Sequence, residues 1–249
     1  MRRYIYFVFL LCCAVNLLLT SCVRQKYVVM DMVHHNPGEA MTESKFLDPS
    51  FLKKNEYGAK VFFLFEAAQF GIDWKSFDPS LFPDTTEAGR WVAEKAEIIH
   101  KKYDAAKKED LQVYCMLDML VLPSLLVEKH RTELTNEQGK LDISKPYTQL
   151  CIRELMKEMF ETFPQLDGLV IRTGETYLHD APYYVGNHPV QNGMYDHITL
   201  INLLREEVCE RRNKKLFYRT WDMGQLHSIP KYYLSVTDSI EPHPNLYFS

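Results

Sequence analysis

The chain has 249 residues, 46% of them apolar and 25% charged, with only 10 Gly and 12 Pro. That mix buries a core and excludes a disordered tail, a collagen-like repeat and a low-complexity scaffold. Lys and Arg total 29 against 33 Asp and Glu, a net charge of −4, so no broad positive field exists to capture nucleic acid, and no such partner is expected.

Arg2 and Arg3 give a basic start, and Tyr4 to Leu19 is an almost unbroken apolar run ending in Leu19-Thr20-Ser21-Cys22. The run is shorter than the roughly 20 residues a bilayer-spanning helix needs, so residues 1–21 are expected to be a cleaved export signal. The ending resembles the lipobox of bacterial lipoproteins. That implies lipidation at Cys22 and a domain, residues 22–249, anchored to the bacterial cell envelope on its periplasmic or outer-membrane side. An ordinary secretory signal with an incidental Cys22 is the alternative. Cys115, Cys151 and Cys209 each lie in an apolar run, which predicts buried free thiols rather than a disulfide framework. No zinc-ligand spacing occurs, and neither a metal nor a cofactor is expected.

The continuous apolar run Tyr27 to Met32 predicts a buried strand, followed by a polar loop containing His34 and His35. Asp48-Pro49 opens a short helix, with Asp as cap and Pro in its first turn. Lys60 to Phe65 reads as the second strand, with Glu66 at its end. Thr85 or Thr86 begins a long helix in which Trp91, Val92, Ala96, Ile99 and Tyr103 recur at helical spacing. Gln112 to Leu117 is the third strand, ending at Asp118, and a long loop leads to a helix from about Lys145 to Phe163. Leu166-Asp167-Gly168 leads into a fourth strand, Leu169 to Arg172, that exits into Thr173-Gly174-Glu175-Thr176-Tyr177. A helix from roughly Tyr195 to Arg212, a fifth strand from Lys215 to Arg219, a short helix near Pro230 to Val236 and a sixth strand from Asn245 to Ser249 complete the pattern.

Strand and helix alternate throughout, which predicts parallel βα units. The chemically active residue types sit at many strand ends, and no glycine-rich phosphate turn follows the first strand. Both features favour a (β/α)8 TIM barrel over a dinucleotide-binding sheet. About six of the eight βα units are present, so the expectation is an incomplete, C-terminally truncated barrel. A flavodoxin-like or irregular α/β domain is the alternative.

At the strand ends, Asp31, Glu66, Asp118, Glu175 and Asp222 supply carboxylates, with His35, Arg172, Tyr177, Arg219 and Trp221 around them. Glycosidic cleavage needs one carboxyl group to protonate the leaving oxygen and a second to attack or to activate water, while aromatic faces stack on sugars. The stretches LDGLVIRTGETY (Leu166 to Tyr177) and Tyr218-Arg219-Thr220-Trp221-Asp222, with the lipoprotein start, resemble barrel-type glycoside hydrolases of Bacteroidota, nearest to α-glucuronidase-like members. The resemblance implies a carbohydrate substrate and an acid/base at Glu175, the end of the fourth strand. It also implies a nucleophile at the end of a seventh strand, which these six strands do not include, so the chain as it stands is expected to be inactive. The Asn-Glu pair usual in such enzymes is here Gly174-Glu175.

His35, Glu66, Asp118, Arg172, Tyr177, Arg219, Trp221 and Asp222 are then the substrate-binding candidates. Arg219 could grip a uronate carboxylate in bidentate fashion or pair with Asp118 or Glu175. Glu66 and Asp118 could bind sugar hydroxyls or helix amino termini. Simple alternation sends Arg172 and Glu175 to opposite faces, unless Gly174 bends the chain. A surface glycan-binding lipoprotein without turnover is the second functional class. An esterase or lipase is a weak third reading, since the sequence lacks a Gly-x-Ser-x-Gly elbow.

Overall fold

The computed structural model of the protein describes residues 29–31, 44–178, 180–221 and 224–249. The export signal, Cys22, His35 and Asp222 lie outside the described residues. Strand β1 (Met30–Asp31) is followed by helix α1 (Pro49–Lys54), strand β2 (Ala59–Phe62), the long helix α2 (Glu87–Lys108) and strand β3 (Gln112–Asp118). Next come β4 (Val121–Pro123), α3 (Ser124–Lys129), α4 (Arg131–Leu134), α5 (Pro146–Thr162), β5 (Leu166–Arg172) and β6 (Tyr184–Gly186). Helix α6 (Met194–Leu204) continues into a π-helical segment, Arg205–Glu210, before β7 (Lys215–Tyr218), α7 (Pro230–Thr237) and β8 (Leu246–Phe248).

The caps are those the sequence signals. Asp48 accepts the Ser50 N–H at 2.9 Å, with Pro49 in the first turn of α1. Thr86 accepts the Gly89 N–H at 3.0 Å to start α2.

Six strands form one wholly parallel sheet in the order β1-β2-β3-β5-β7-β8. The order follows the chain without reversal. A doubly wound sheet reverses at a switch point, so the flavodoxin-like alternative does not describe this topology, and winding in one direction is how barrels are built. Among the described residues β1 and β8 are not paired with each other, and the fold observed is a mixed α/β unit with one parallel sheet. No helix among the described residues is long and apolar enough to cross a membrane.

The two sheet faces have different partners, as a period of two demands. Val113, Cys115, Leu117, Leu169, Ile171, Leu216 and Tyr218 face the helices and join the main core. Val61, Phe63, Tyr114, Met116 and Val170 form a second cluster on the opposite face, with Phe217 and Tyr177 packed on it. Helix α5 is tied to the π-helical segment by Glu207, whose buried carboxylate takes Arg153 at 2.6 Å, Arg212 at 2.9 Å and Arg211 at 3.2 Å.

Strand β5 begins three residues before the predicted start. Val113 pairs with Leu166 but Tyr114 pairs with Gly168, which leaves Asp167 as the extra residue of a bulge. The Asp167 carboxylate accepts the Val113 N–H at 2.7 Å. Gly168, read from the sequence as a loop signal, is needed inside the strand: a Cβ there would meet the Lys215 carbonyl oxygen at 2.1 Å and Tyr114 Cε1 at 3.0 Å. The predicted loop after β3 also holds β4, which pairs antiparallel with β6. The predicted helix ending near Arg212 changes from α to π winding at Arg205.

Cys115, Cys151 and Cys209 are buried free thiols. Burial pushes Cys115 and Cys151 up to about 12 and Cys209 up to about 11, so thiolate is scarce at pH 8. These three are expected to react with Ellman's reagent only after denaturation; fast native labelling of any of them would contradict their burial. Gly168→Ala should destabilise the protein by about 3 kcal/mol, because a backbone carbonyl cannot yield as a side chain can. The check is the denaturation midpoint, and an unchanged value would mean that β5 does not lie against β7 as described.

Candidate functional site

Alternation sets the site. Tyr114, Met116 and Asp118 project from one face of β3, and Gly168, Val170 and Arg172 from the same face of β5, with Asp118 directly opposite Arg172. The last registered pair between β5 and β7 is Ile171 with Tyr218, and the Arg219 N–H still donates to the Ile171 carbonyl at 3.0 Å. Asp118, Arg172 and Arg219 therefore end three neighbouring strands in a row, at their carboxyl ends and away from the main helical core.

Asp118 and Arg172 are buried, at 3% and 6% exposure. They form a bidentate pair, with Arg172 Nε at 2.5 Å from Asp118 Oδ1 and Nη2 at 2.7 Å from Oδ2. The guanidinium packs against two aromatic rings, 4.6 Å from the Phe63 centroid and 4.5 Å from that of Tyr177. Phe63 follows Val61 by two residues and so shares its face of the sheet; that spacing was the available signal for a residue the sequence reading did not single out.

Beyond Arg172 the chain leaves strand geometry and bends at Gly174. The bend overrides the alternation that would have separated Arg172 from Glu175. Arg172 Nη1 now lies 3.5 Å from Glu175 Oε2, and the Tyr177 hydroxyl donates to the same oxygen at 2.8 Å. The Tyr177 backbone N–H returns to Asp118 Oδ2 at 2.9 Å. Glu175 is partly open to solvent, its side chain 35% exposed. Among the described residues Oε1 takes no hydrogen bond. Against the strand-end loop, His188 Nδ1 meets the Thr173 carbonyl oxygen.

The other candidates are placed separately. Glu66 sits in a 3₁₀ turn after β2 and is ion-paired with Lys102 of α2. Arg219 is half-buried beside the second cluster, where Nη1 lies 3.9 Å from Met116 Sδ. Among the described residues no carboxylate is within ion-pair distance of it, so the pairing with Asp118 or Glu175 left open by the sequence is made by Arg172 instead. Trp221 is exposed, its ring 5.9 Å from that of His227. No group of His, Cys, Asp and Glu able to hold a metal ion occurs among the described residues.

With this geometry in hand, the comparison with known proteins gives a fold and no family. No family model matches the chain, and no curated protein matches it in sequence. Among solved structures it is similar to CpGH84B, with a TM-score of 0.50 at 8% identity over 89% of this chain and 32% of that one. The fold is glycoside-hydrolase-like. The chain thus spans about a third of the length of that structure. Dispersin B is matched with a TM-score of 0.45 at 13% identity, over 82% of this chain and 60% of its own. A GH138 enzyme targeting pectin rhamnogalacturonan II is matched with a TM-score of 0.43 at 15% identity, over 82% and 21%.

The hydrogen bond to Glu175, and after it burial, raises the Tyr177 phenol above its ordinary value, since a phenolate would face a carboxylate. Glu175→Gln removes that charge, so the Tyr177 phenol should titrate at lower pH in the variant. NMR titration of ring-labelled tyrosine reads this directly, and an unmoved Tyr177 would mean the two side chains are not bonded in solution.

Proposed function

We propose that the protein is an exported, lipid-anchored glycoside hydrolase whose sheet is part of a (β/α)8 barrel. In this reading Glu175 is the acid/base group and carbohydrates bearing uronic acid are the substrates. The observation that carries it is the state of Glu175. Its carboxylate stands at the carboxyl end of a parallel strand, held through Oε2 by Tyr177 and Arg172, with Oε1 taking no hydrogen bond among the described residues and the side chain partly open to solvent. A group that exchanges a proton with a glycosidic oxygen needs one oxygen fixed and the other presented. The glycoside-hydrolase-like fold supports the class of reaction.

The uronate preference rests on Arg219. A half-buried guanidinium beside Glu175's strand, with no carboxylate partner among the described residues, suits a bidentate grip on a sugar carboxylate. Trp221, exposed two residues further on, offers a ring face to a sugar. Asp118 has both oxygens engaged, so the second catalytic carboxylate is a different residue. The anchor is assigned to Cys22, on the likeness of its surroundings to a lipobox, and the location to the cell envelope.

A second reading, sugar binding without turnover, takes the same Arg219 and Trp221 and gives Glu175 no reaction. Hydrolysis of 4-nitrophenyl glucuronides and of uronate-bearing oligosaccharides by the full-length protein separates the two. Glu175→Gln should lower kcat by about 10²- to 10⁴-fold while the Kd for oligosaccharide stays within a few-fold. Unchanged turnover in the variant would remove Glu175 from the chemistry, and tight binding with no turnover by the parent protein would favour the second reading.

A further inference from the structure

An arginine at a strand end beside a candidate acid/base has two possible employments: it touches the substrate, or it holds the acid/base. We infer that Arg172 is a positioning residue for Glu175 and does not bind substrate; this rests on the reading of Glu175 given above. Its guanidinium is already engaged. Nε and Nη2 are fixed on Asp118, Nη1 lies 3.5 Å from Glu175 Oε2, and the Phe63 and Tyr177 rings stand 4.6 Å and 4.5 Å from Cζ. At 6% exposure no edge is left for a sugar.

The four side chains form a closed circuit. Asp118 orients Arg172; Arg172 and the Tyr177 hydroxyl converge on one oxygen of Glu175; and the Tyr177 N–H closes the ring on Asp118 Oδ2. Swinging Arg172 away would break the bidentate pair and strip two rings from the cation at once, so its orientation is overdetermined. Glu175, by contrast, sits on a loop after a bend and has no other hydrogen-bonding partner among the described residues. Its aim therefore depends on Arg172 and Tyr177. Holding a reacting group in a narrow range of orientations accounts for large rate factors, and a displacement of about 1 Å can cost about 10²-fold.

The test separates a clamp on substrate from a support for the carboxylate. Steady-state kinetics of the full-length protein and of Arg172→Lys are measured on a matched pair, 4-nitrophenyl glucoside and 4-nitrophenyl glucuronide. Lysine keeps the charge but cannot reproduce the fork. A positioning role predicts kcat down by about 10²-fold on every glycoside the parent hydrolyses, with KM within about twofold. A substrate-binding role predicts a raised KM confined to the glucuronide, and that result would overturn the inference.

Tyr177→Phe retains the stacked ring and the backbone bond to Asp118 and loses only the hydroxyl. It should fold normally and lower kcat by about 10-fold with KM unchanged. Independently of activity, the side-chain couplings of 13C-labelled glutamate, assigned with Glu175→Gln, report the Glu175 rotamer. The parent should show one rotamer, and Arg172→Lys and Tyr177→Phe should show averaging. A single unchanged rotamer in both variants sinks the inference whatever the kinetics; averaging in the variants of a protein that hydrolyses neither glycoside leaves the support intact and counts against the hydrolase reading.

Discussion

Removing a guanidinium and a carboxylate from water costs several kcal/mol for each ion, and only close, well-directed contacts offset it. At the carboxyl end of β3 and β5 that cost is met by Arg172 and Asp118 facing each other across two hydrogen bonds. The requirement propagates outwards. The cation also packs on aromatic rings: the chain after β5 folds back to bring the Tyr177 ring within 4.5 Å of it, and Phe63, just beyond β2, stands at 4.6 Å. The remaining lone pairs of Asp118 need donors, and the Tyr177 N–H supplies one. Removing either ion would leave the other buried and unpaired, a loss of about 3–5 kcal/mol in comparable sites. The path of residues 173–177, and with it the position of Glu175, follows from satisfying one ion pair.

That pair exists because the phase of β5 is reset before it is reached. Leu166 and Leu169 both face the helices although they are three positions apart, an arrangement a regular strand forbids. The bulge at Asp167 absorbs the odd residue, and the carboxylate of Asp167 satisfies the Val113 N–H that the bulge would strand. Beyond it, β3 and β5 run in step, so that residues four positions on from Tyr114 and Gly168 meet as Asp118 and Arg172. The absence of a side chain at Gly168 lets the Lys215 carbonyl come close at this level. Local irregularity thus secures alignment at the carboxyl ends of β3 and β5.

Much of this framework was legible in the sequence. Five of the six apolar runs read as strands coincide with members of the parallel sheet within a few residues, and the sixth contains the short strand Met30–Asp31. Asp48 and Thr86 capped their helices as their positions implied. Less could be read wherever partners are far apart in the chain. Asp118 and Arg172 are 54 positions apart, and nothing local distinguishes a carboxylate that will bind an arginine from one that will bind a sugar. Strands β4 and β6 are three residues each and find one another across some sixty residues, which leaves too little periodicity to see. Glu66 looked like a strand-end carboxylate because the strand was read as running to Phe65; the strand ends at Phe62, and the 3₁₀ turn after it carries Glu66 to Lys102.

Arg172 and Arg219 are the same residue type at the ends of adjacent strands, and their neighbours make them different. Arg172 stands beside β3, whose terminal Asp118 takes its fork, and under a loop that brings it Tyr177 and Glu175. Arg219 ends β7, one strand further from that carboxylate, and meets the thioether of Met116. A sulfur acceptor does little to neutralise a guanidinium. The protein has therefore invested one cation in building the strand-end loop and left another, half-buried and within the same row, with its charge uncompensated by any carboxylate among the described residues. An unpaired charge that is partly withdrawn from water is costly to keep, and an anionic ligand arriving at the open end of the sheet would relieve that cost. In the proposed reading the two arginines divide the work of a site: the buried one orients the carboxylate of Glu175, and the half-buried one favours an anionic ligand beside it.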